Sequence, residues 1–523
     1  MLLSPAAVGR NRNHHVVATS GMATAQQYEQ AAYGIANYLA ERQQADGSFP
    51  GPDNYGLAFS LWLWSHFGAQ FGEQLGRAWE RLKGNVPASH GEFNVYALLQ
   101  CREQLGPGPV DALMRRVRLG RRHSANWMLL RAACRIRPGP FCSPARASWE
   151  ARAALLRYAR RGLIADRSGV RSLAYHSFCG ALLADLWRDT GLRWAGRAAA
   201  QAAQFIANFI LPNGDSLYVG RGQQQIFGYG ALIYLLEAAA EITGREEFSR
   251  LSDSVFQFLL RFQRPDGSFP LVLREEEPPE PWLPDVSHPG WYTYNRYADY
   301  LPFLGCFLLK AAAPETRRLE ASLPAAAHPE FRVWRQKRYV AVLAVPGGAP
   351  TNDLAFPYVC VDGQSLFPCY GTESEAAERG AGPLPYGALA DGRHYGFRSQ
   401  LRYRLTESGL VGVSSLVRHR RLFEFRADGF VCRDEIAFRR RCVFSRFTAG
   451  NFLFRTLRRL PEGGFETWHR GARAVLNLNP EGTLRPNAAV SASGPLIALS
   501  CPQGRLEAKA GHTIATELRV RFA

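Results

Sequence analysis

The sequence predicts two domains of different class, an N-terminal (α/α)6 incomplete toroid followed by a C-terminal antiparallel β-sandwich. Up to about residue 313, amphipathic segments alternate with segments that are apolar on nearly all sides, whereas the rest of the chain consists of short β-rich segments. With 523 residues, the chain is also too long for one ordinary hydrophobic core. We expect a disordered tail at 1–22, the toroid at 23–313, a linker at 314–328 and the sandwich at 329–523.

The toroid prediction rests on the order of the helical segments. Amphipathic segments such as AQQYEQAAYGIANYLAERQQ carry a charged side, as helices that face solvent do. Six other segments are apolar almost all round and should be buried: YGLAFSLWLWSHF, EFNVYALLQC, ANWMLLRAACRI, YHSFCGALLADLW, FGYGALIYLLEAAAE and YADYLPFLGCFLLKAAA. An outer ring of six helices around an inner ring of six satisfies this repeated alternation.

Two copies of the motif Asp-Gly-Ser-Phe-Pro mark places in this architecture. They begin at Asp46 and Asp266, and each follows a predicted outer helix and precedes a predicted inner one; LPNGDS, near Asn213, has the same position. Asp-Gly and Asn-Gly end helices and turn the chain, because glycine tolerates positive φ. We therefore predict turns here, the alternative being that Asp46 or Asp266 is catalytic.

The C-terminal part has the pattern of a sandwich. Segments such as RYVAVLAV, PYVCVDG and GFVCRDEIAF alternate or run as β-rich stretches, and Gly, Pro and Asn turns separate them. Many such strands without intervening helices indicate a large antiparallel sandwich.

The charge balance favours an acidic partner. Lysine and arginine number 63 against 45 aspartates and glutamates, a net charge of +18, and such an excess attracts polyanions. Because the sequence has no helix-turn-helix, RRM or zinc-finger pattern, we expect no nucleic-acid partner. Arginine binds carboxylates through paired hydrogen bonds, so we expect an acidic polysaccharide or oligosaccharide. A basic surface that only aids solubility is the alternative.

Other sequence features bear on metals, membranes and location. The ten cysteines form no CxxC pair and no cluster at zinc spacing, so we expect no metal site, no cofactor and no dense disulfide framework. We find no apolar run long enough to cross a membrane and expect no insertion. The first residues lack the order of a signal peptide, which predicts a cytoplasmic protein, or a periplasmic one if the start is misassigned. The oligomeric state is not indicated.

The segments before the inner helices carry the candidate functional residues. In a toroid these segments converge on one end of the central cavity. Every one of them has polar or aromatic residues just before an otherwise apolar helix: PDNYG, SHGEFNVY, RHSANW, LAYHS, GRGQQQIF and GWYTYNRYADY. Together they predict a cleft rich in Tyr, His, Asn, Arg and Trp.

This composition favours cleavage of a uronic-acid polymer by β-elimination. That reaction removes the weakly acidic proton beside a carboxylate, which hydrogen-bond donors such as Asn, Gln or Arg must first neutralise. A Tyr or His takes the proton, and a Tyr can return one to the leaving oxygen. Hydrolysis instead needs two opposed carboxylates. The acidic candidates, Asp53, Glu92, Asp215 and Asp299, stand apart in the sequence.

The order of the two domains resembles polysaccharide lyases of the chondroitin AC, hyaluronate and xanthan type, and their heparinase II/III-like and alginate lyase-like relatives. ANWMLLRAA resembles the helix start whose Asn neutralises the substrate carboxylate in such lyases, which is Asn126 here. AYHSFCGALLADLWRDTG is similar to the inner helix that bears the catalytic His or Tyr, here His176 or Tyr175. The stretch after Asp215 departs from the family, because no His follows and Phe227 stands where a Tyr is expected.

The resemblance implies a set of roles. His176 or Tyr175 is the expected base and Tyr294 or Tyr297 the expected acid, while Asn126, Arg296 and Gln225 neutralise the carboxylate. The expected substrate-binding residues are Tyr55, Asn94, Trp127, Arg221, Gln225, Trp291, Asn295 and Arg296. Each has a structural alternative, since Asn caps helices and His, Tyr and Trp pack in helical bundles. A glycoside hydrolase on the same scaffold and a non-catalytic binding protein for acidic glycans remain alternative functions.

Overall fold

The computed structural model describes residues 24–85, 89–273, 282, 296–313, 318–319, 328–346, 354–371, 380, 382–491 and 494–523. The predicted tail, most of the predicted linker, and Trp291, Tyr294 and Asn295 lie outside these residues. Helices make up the described chain as far as Ala312, and strands dominate from Phe331 onward. This order confirms the predicted fold class.

Thirteen helices form the N-terminal half of the described chain. They are α1 (Ala25–Arg42), α2 (Gly56–Phe67), α3 (Gly72–Gly84), α4 (Gly91–Gln100), α5 (Arg102–Leu105), α6 (Pro107–Met114), α7 (Ala125–Ile136), α8 (Pro144–Tyr158), α9 (Leu173–Thr190), α10 (Arg193–Ala207), α11 (Ile226–Thr243), α12 (Glu246–Leu260) and α13 (Tyr297–Ala312). The inner ring consists of α2, α4, α7, α9, α11 and α13; each packs against the next, and α13 closes the ring against α2. The outer ring consists of α1, α3, α6, α8, α10 and α12.

Burial separates the two rings as the sequence patterns predict. Nearly every residue of α2, α9 and α11 is buried, whereas α3, α10 and α12 bury one face. The outer layer is thin at α6, which has eight residues. In the described chain α11 alone has the length and apolar composition of a membrane span, and 78% of it is buried inside the toroid.

The repeated Asp-Gly-Ser-Phe-Pro motif forms the same turn twice, as predicted. Gly47 and Gly267 both have φ +84°, and the amide of Ser48 donates to Oδ1 of Asp46 over 3.0 Å. The second copy reproduces this bond between Ser268 and Asp266, also at 3.0 Å. Because the side chain of each aspartate holds its own turn, neither is placed for catalysis.

The strands form four antiparallel sheets. A hairpin of β1 (Ala159–Arg160) and β2 (Leu163–Ile164) lies in the helical half. The later strands are β3 (Phe331–Arg335), β4 (Tyr339–Ala344), β5 (Tyr358–Val361), β6 (Gln364–Phe367), β7 (Tyr370–Gly371), β8 (Tyr386–Leu389), β9 (His394–Gly396), β10 (Arg402–Thr406), β11 (Gly409–Val413), β12 (Val417–Arg426), β13 (Gly429–Phe438), β14 (Cys442–Phe454), β15 (Arg458–Arg459), β16 (Phe465–His469), β17 (Ala472–Asn479), β18 (Thr483–Ser491), β19 (Gly494–Ala508) and β20 (Thr513–Phe522). A short helix, α14 (Phe397–Gln400), follows β9.

The C-terminal sheets stack on the toroid through a shared layer. An eight-stranded sheet (β10-β11-β12-β13-β20-β17-β16-β15) and a six-stranded sheet (β7-β18-β19-β14-β8-β9) enclose the sandwich core, and the third sheet has the order β3-β4-β5-β6. Strand β4 is buried along its whole length: Val340 and Val342 join the helical core, while Ala341 and Leu343 join the sandwich core. A strand buried on both faces explains why RYVAVLAV is a continuous apolar run.

Candidate functional site

The starts of the inner helices meet at one end of the ring, and hydrogen bonds hold them there. Asp299, in the first turn of α13, accepts bonds from the backbone amides of Asn54, Tyr55 and Gly56 at 2.8–2.9 Å. The amide of Asn94, in α4, donates to the carbonyl of Asn54 over 2.9 Å. These bonds join three inner helices, so the convergence that the sequence predicted is present.

Six residues at this end form what we call the mouth cluster: Asp53, Tyr55, His90, Trp127, Tyr175 and Arg296. The ring of His90 lies 5.8 Å from that of Tyr55 and 5.4 Å from that of Trp127. The phenol of Tyr55 is close enough to Tyr175 for the two to affect each other electrostatically. The mouth cluster therefore combines aromatic faces with one acid, one imidazole and one guanidinium.

Asp53 is the carboxyl group of the mouth cluster. Burial and the negative charge of Asp299 raise the pKa of Asp53 to about 7, although the charges of Arg81 and Arg296 oppose this. Near neutral pH, this carboxyl group therefore carries a proton about half of the time. A carboxyl group in that state can donate or accept a proton.

His90 precedes α4 in a left-handed conformation, with φ 61° and ψ 34°. Positive φ is uncommon in residues other than glycine and costs roughly 1 kcal/mol. Burial, and then the charges of Arg122 and Arg296, lower the pKa of His90 to about 4, so its imidazole is neutral near pH 7. Its Nδ1 atom is buried and makes no hydrogen bond within the described chain. This nitrogen therefore has unused hydrogen-bonding capacity.

Arg296 and Gln225, two of the predicted substrate-binding residues, also have unsatisfied atoms. Nε of Arg296 is buried without a hydrogen-bond partner among the described residues, and its charge influences both Asp53 and His90. Gln225 precedes α11 and is fully buried, yet neither atom of its side-chain amide has a partner in the described part of the chain. Buried polar groups are normally satisfied, so these atoms need an explanation.

Asn126 and Trp127 are at the start of α7, as predicted. Ser124, not Asn126, is the residue before the helix, and its hydroxyl donates to Oδ1 of Asn126. The amide nitrogen of Asn126 therefore keeps its donor capacity. The guanidinium of Arg122 lies 4.5 Å from the centre of the Trp127 ring, a cation–π contact that places positive charge beside the mouth.

Tyr175 and Arg221 contact each other at the start of α9. The guanidinium of Arg221 lies 4.5 Å from the centre of the Tyr175 ring and donates to Oδ2 of Asp166 over 2.5 Å. Phe227, in the position where the lyase resemblance implies a tyrosine, packs edge-on against Tyr175 at 5.3 Å. Tyr300 of α13 follows at 4.9 Å from Phe227. The aromatic lining thus continues from α9 to α13.

His176, one of the two residues expected as the base, makes structural hydrogen bonds with both ring nitrogens. Its Nδ1 accepts a hydrogen bond from the amide of Ile164 over 3.0 Å, and its Nε2 lies 3.0 Å from the carbonyl oxygen of Ala202. The ring is fully buried, which lowers its pKa to about 4. Backbone groups therefore occupy both nitrogens, and His176 joins β2, α9 and α10 instead of facing a substrate.

Two other expected site residues, Tyr297 and Asn94, are buried and make hydrogen bonds within the fold. The hydroxyl of Tyr297 donates to the carbonyl oxygen of Phe269 over 2.7 Å, and 1% of the residue is exposed, which gives this expected acid a structural contact. Asn94 is equally buried and connects α2 to α4. Tyr294, the other expected acid, lies outside the described residues together with Asn295 and Trp291.

Three of the four carboxylates considered for hydrolysis have structural partners. Glu92 accepts a bond from the amide of Gly120 over 2.7 Å and pairs with Arg131. Asp215 accepts bonds from three side chains, among them the hydroxyl of Tyr229 at 2.8 Å, and Asp299 accepts the amides that begin α2. Of the four, Asp53 alone remains for chemistry.

The sequence interpretation named SHGEFNVY as a mouth segment but did not choose His90. The glycine that follows His90 marks a break in the chain before the apolar helix, but it does not indicate where the ring of His90 lies. Within the described chain, no three His, Cys, Asp or Glu side chains come together in a way that could hold a metal ion.

Comparisons with known proteins give fold similarities only. No family model matches the sequence, and no curated protein matches it. A heparan sulfate lyase from Pedobacter heparinus is 12% identical over 96% of this chain and 84% of that one, with a TM-score of 0.33. A family 88 glycosyl hydrolase from Bacteroides vulgatus is 12% identical over 55% of this chain and 98% of that one, with a TM-score of 0.40. A sugar epimerase from a ruminal bacterium is 12% identical over 56% of this chain and 99% of that one, with a TM-score of 0.43.

Proposed function

We propose that this chain is a glycan-acting enzyme, a lyase that cleaves a uronic-acid-containing polysaccharide or oligosaccharide by β-elimination at the mouth cluster. The observation that carries the proposal is the mouth cluster, in which Asp53 and His90 both lie close enough to Arg296 to be affected by its charge. Their pKa values are shifted in opposite directions, to about 7 and about 4, so a protonated carboxyl and a neutral imidazole coexist near neutral pH. Elimination needs such a donor and such an acceptor.

The proposed reaction begins with the substrate carboxylate near Arg296 and the amide of Asn126. Neutralising this carboxylate acidifies the proton on the adjacent carbon. His90 takes that proton, a carbon–carbon double bond forms, and the bond from the next carbon to the glycosidic oxygen breaks. Asp53 gives its proton to the leaving oxygen, so charge and protons balance. The bound carboxylate also brings negative charge beside His90 and raises its pKa toward that of a useful base.

The remaining mouth residues suit a sugar. Tyr55, Trp127 and Tyr175 give the mouth an aromatic wall, and 9% or less of each residue is exposed. One face of each ring is covered, by Phe93, Arg122 and Arg221 respectively, which leaves the opposite face or the edge for a sugar. Arg221 places a guanidinium over the face of Tyr175, beside its ion pair with Asp166. The proposal thus keeps the predicted substrate-binding roles of Tyr55, Trp127 and Arg221, gives Tyr175 a binding role in place of that of a base, and replaces His176 and Tyr297 in proton transfer.

Hydrolysis is the second candidate, and one observation favours it. A carboxyl group with a pKa of about 7, as in Asp53, is what a glycosidase uses as its general acid. The second carboxylate would have to be Asp166, whose Oδ1 is buried and unbonded among the described residues. Its ion pair with Arg221 makes it a weaker choice than the neutral His90.

The experiment is ultraviolet absorbance during incubation with a panel of uronate-containing polysaccharides and oligosaccharides, together with an assay for new reducing ends. Elimination produces a conjugated double bond and raises the absorbance. We expect Asp53→Asn and His90→Gln each to lower the rate by ~10²–10⁴-fold. The matched controls are Asp391→Asn and His66→Gln, both exposed and distant from the mouth, which should retain the wild-type rate.

The other outcomes contradict either the lyase reaction or the site proposed for it, and they are distinguishable. New reducing ends without absorbance would indicate hydrolysis. Binding without either signal would indicate a non-catalytic glycan-binding protein. Full activity in both mouth variants would move the active site elsewhere, even if the absorbance rises.

A further inference from the structure

A second concave site lies outside the mouth, at the junction of the two domains. We call it the junction cavity; its volume is about 650 Å³. Helices α8 and α10 and the β1–β2 hairpin form one side, and strand β3 of the shared sheet forms the other. None of its lining residues belongs to the mouth cluster. Small-molecule sites typically have volumes of roughly 300–1,000 Å³.

The lining of the junction cavity combines an aromatic floor with a cationic rim. Phe205, Phe209 and Phe331 are buried, and their rings contact one another at 5.0–6.0 Å. The polar lining residues are Arg160, Arg161, Gln201, Gln204, Asn208, His328 and Arg332. No described lining residue is acidic. Aromatic faces beside arginine and amide groups suit a molecule with an apolar ring face and a negative charge.

The first loop residue of the β1–β2 hairpin is Arg161, although this type of turn favours asparagine there. The pairs Ala159–Ile164 and Arg160–Leu163 leave Arg161 and Gly162 as the two-residue loop, with φ values of +48° and +88°. Positive φ at both central positions favours Asn-Gly. The β16–β17 hairpin has the same Arg-Gly loop at Arg470 and Gly471, so the turn alone does not indicate a ligand site. What bears on binding is that Arg161 is one of the residues that line the cavity.

His176 supports the wall of this cavity. It joins Ile164 of the hairpin to Ala202 of α10 through both ring nitrogens, and its ring packs against Phe205 at 5.0 Å. Two of these three neighbours, Ile164 and Phe205, line the cavity. The buried histidine thus fixes the hairpin on the helix and holds the cavity in shape before any ligand binds.

We infer that the junction cavity binds an acidic saccharide, a sugar ring that bears a carboxylate or a sulfate. The ring would pack on the phenylalanines, and the anionic group would lie between Arg161 of the helical domain and Arg332 of the sandwich. A ligand there contacts both domains and does not touch the mouth cluster. This site is therefore separate from the proposed catalysis and suits a regulator or an anchor of the same chemical class.

The experiment measures calorimetric binding of a glucuronate disaccharide to the full chain. We expect at least tenfold weaker binding at this site in Arg161→Asn and in Arg332→Gln. Asparagine suits positive φ, so Arg161→Asn removes the guanidinium without endangering the turn. Arg250→Gln, an exposed arginine on α12, is the matched control and should bind as the wild type does. Glucose, which lacks the negative charge, should bind at least tenfold more weakly than the glucuronate disaccharide.

Hydrogen exchange with the same disaccharide locates the binding. Protection of residues 159–164 and 328–333 is expected. Protection confined to residues 53–55 and 89–94 would overturn the inference while leaving the proposed function intact. Wild-type affinity in both Arg161→Asn and Arg332→Gln would overturn it as well, and so would equal affinity for glucose. Inorganic sulfate that binds as tightly as the disaccharide would show an anion site without a sugar site and would also reject it.

Discussion

Two groups of buried polar side chains in the inner helical ring satisfy their hydrogen bonds to different extents. In its far half, Asp185 accepts bonds from the hydroxyls of Tyr96 and Tyr234 and from Nζ of Lys310, each at 2.5 Å. We call these four residues the buried network. Asp185 is about 18 Å along α9 from its start, given 1.5 Å per residue. The network joins α4, α9, α11 and α13, and both carboxylate oxygens of Asp185 accept hydrogen bonds.

At the mouth, by contrast, buried polar atoms lack partners. Within the described chain, this holds for Nδ1 of His90, Oδ1 of Asn94, both amide atoms of Gln225 and Nε of Arg296. Each unsatisfied group costs about 1–3 kcal/mol. The fold evidently can satisfy buried charge, since it does so at Asp185. The Asp185 network is therefore fully bonded, whereas the mouth residues keep unused hydrogen-bonding capacity; unbonded atoms also occur elsewhere in the described chain, for example Nε2 of Gln100 at the end of α4.

The largest expected effect concerns the buried network. Lys310→Met removes the cation that pairs with Asp185 and leaves a buried carboxylate with two phenol donors, so we expect a loss of about 3–5 kcal/mol in the free energy of unfolding. Urea unfolding followed by circular dichroism measures it. Lys83→Met is the control, because Lys83 is exposed and pairs with Glu80 within one helix, which contributes less than about 0.5 kcal/mol. Equal losses in the two variants would remove the contrast between the two groups.

The next effect has the opposite sign. Gln225→Leu replaces a buried amide that has no partner with an apolar side chain of similar size, so we expect the protein to gain about 1–3 kcal/mol. Gln43→Leu is the control: Gln43 is also buried, but its amide donates to the carbonyl of Gln74 over 3.0 Å, and its loss should destabilise. A loss of stability in Gln225→Leu would mean that the unbonded amide of Gln225 does not destabilise the folded protein.

The third prediction uses the raised pKa of Asp53. An acid with a pKa of about 4 when unfolded and about 7 when folded binds more protons in the folded state between these values. Stability therefore falls as pH rises from 4 to 7. Asp53→Asn removes this loss, so the variant should match the wild type near pH 4 and exceed it near pH 8. We expect about 1–2 kcal/mol, less than the whole shift implies, because the side chain is partly exposed.

Urea unfolding at several pH values measures this difference. Asp46→Asn is the control, since the bonds from Ser48 lower the pKa of Asp46 and its replacement should give no gain at pH 8. A pH profile of stability that is identical in the wild type and in Asp53→Asn would mean that Asp53 is not the mouth carboxyl with a raised pKa.

The sequence was sufficient for the architecture and for the location of the mouth. Helical periodicity separates inner from outer helices because burial acts on whole helix faces, and the mouth follows from the order of the helices. It could not assign individual roles at the mouth. His176 and Tyr175 are adjacent in sequence, but successive residues on a helix point about 100° apart, so one contacts α10 and the other lies at the mouth. Which one faces the cavity depends on the rotation of α9, which tertiary packing sets.

The smallest expected effect concerns Tyr297, which the sequence predicted as the acid and which is hydrogen-bonded within the fold. Tyr297→Phe removes the hydroxyl that donates to the carbonyl of Phe269, so it should lower stability by about 1 kcal/mol and leave turnover unchanged. Tyr175→Phe is the matched variant at the mouth, and there we expect weaker substrate binding with little change in stability. Stability and kcat/KM, measured for both, decide between the positions. A large loss of kcat in Tyr297→Phe with the fold intact would restore Tyr297 as the acid, because a purely structural phenol cannot affect proton transfer in that way.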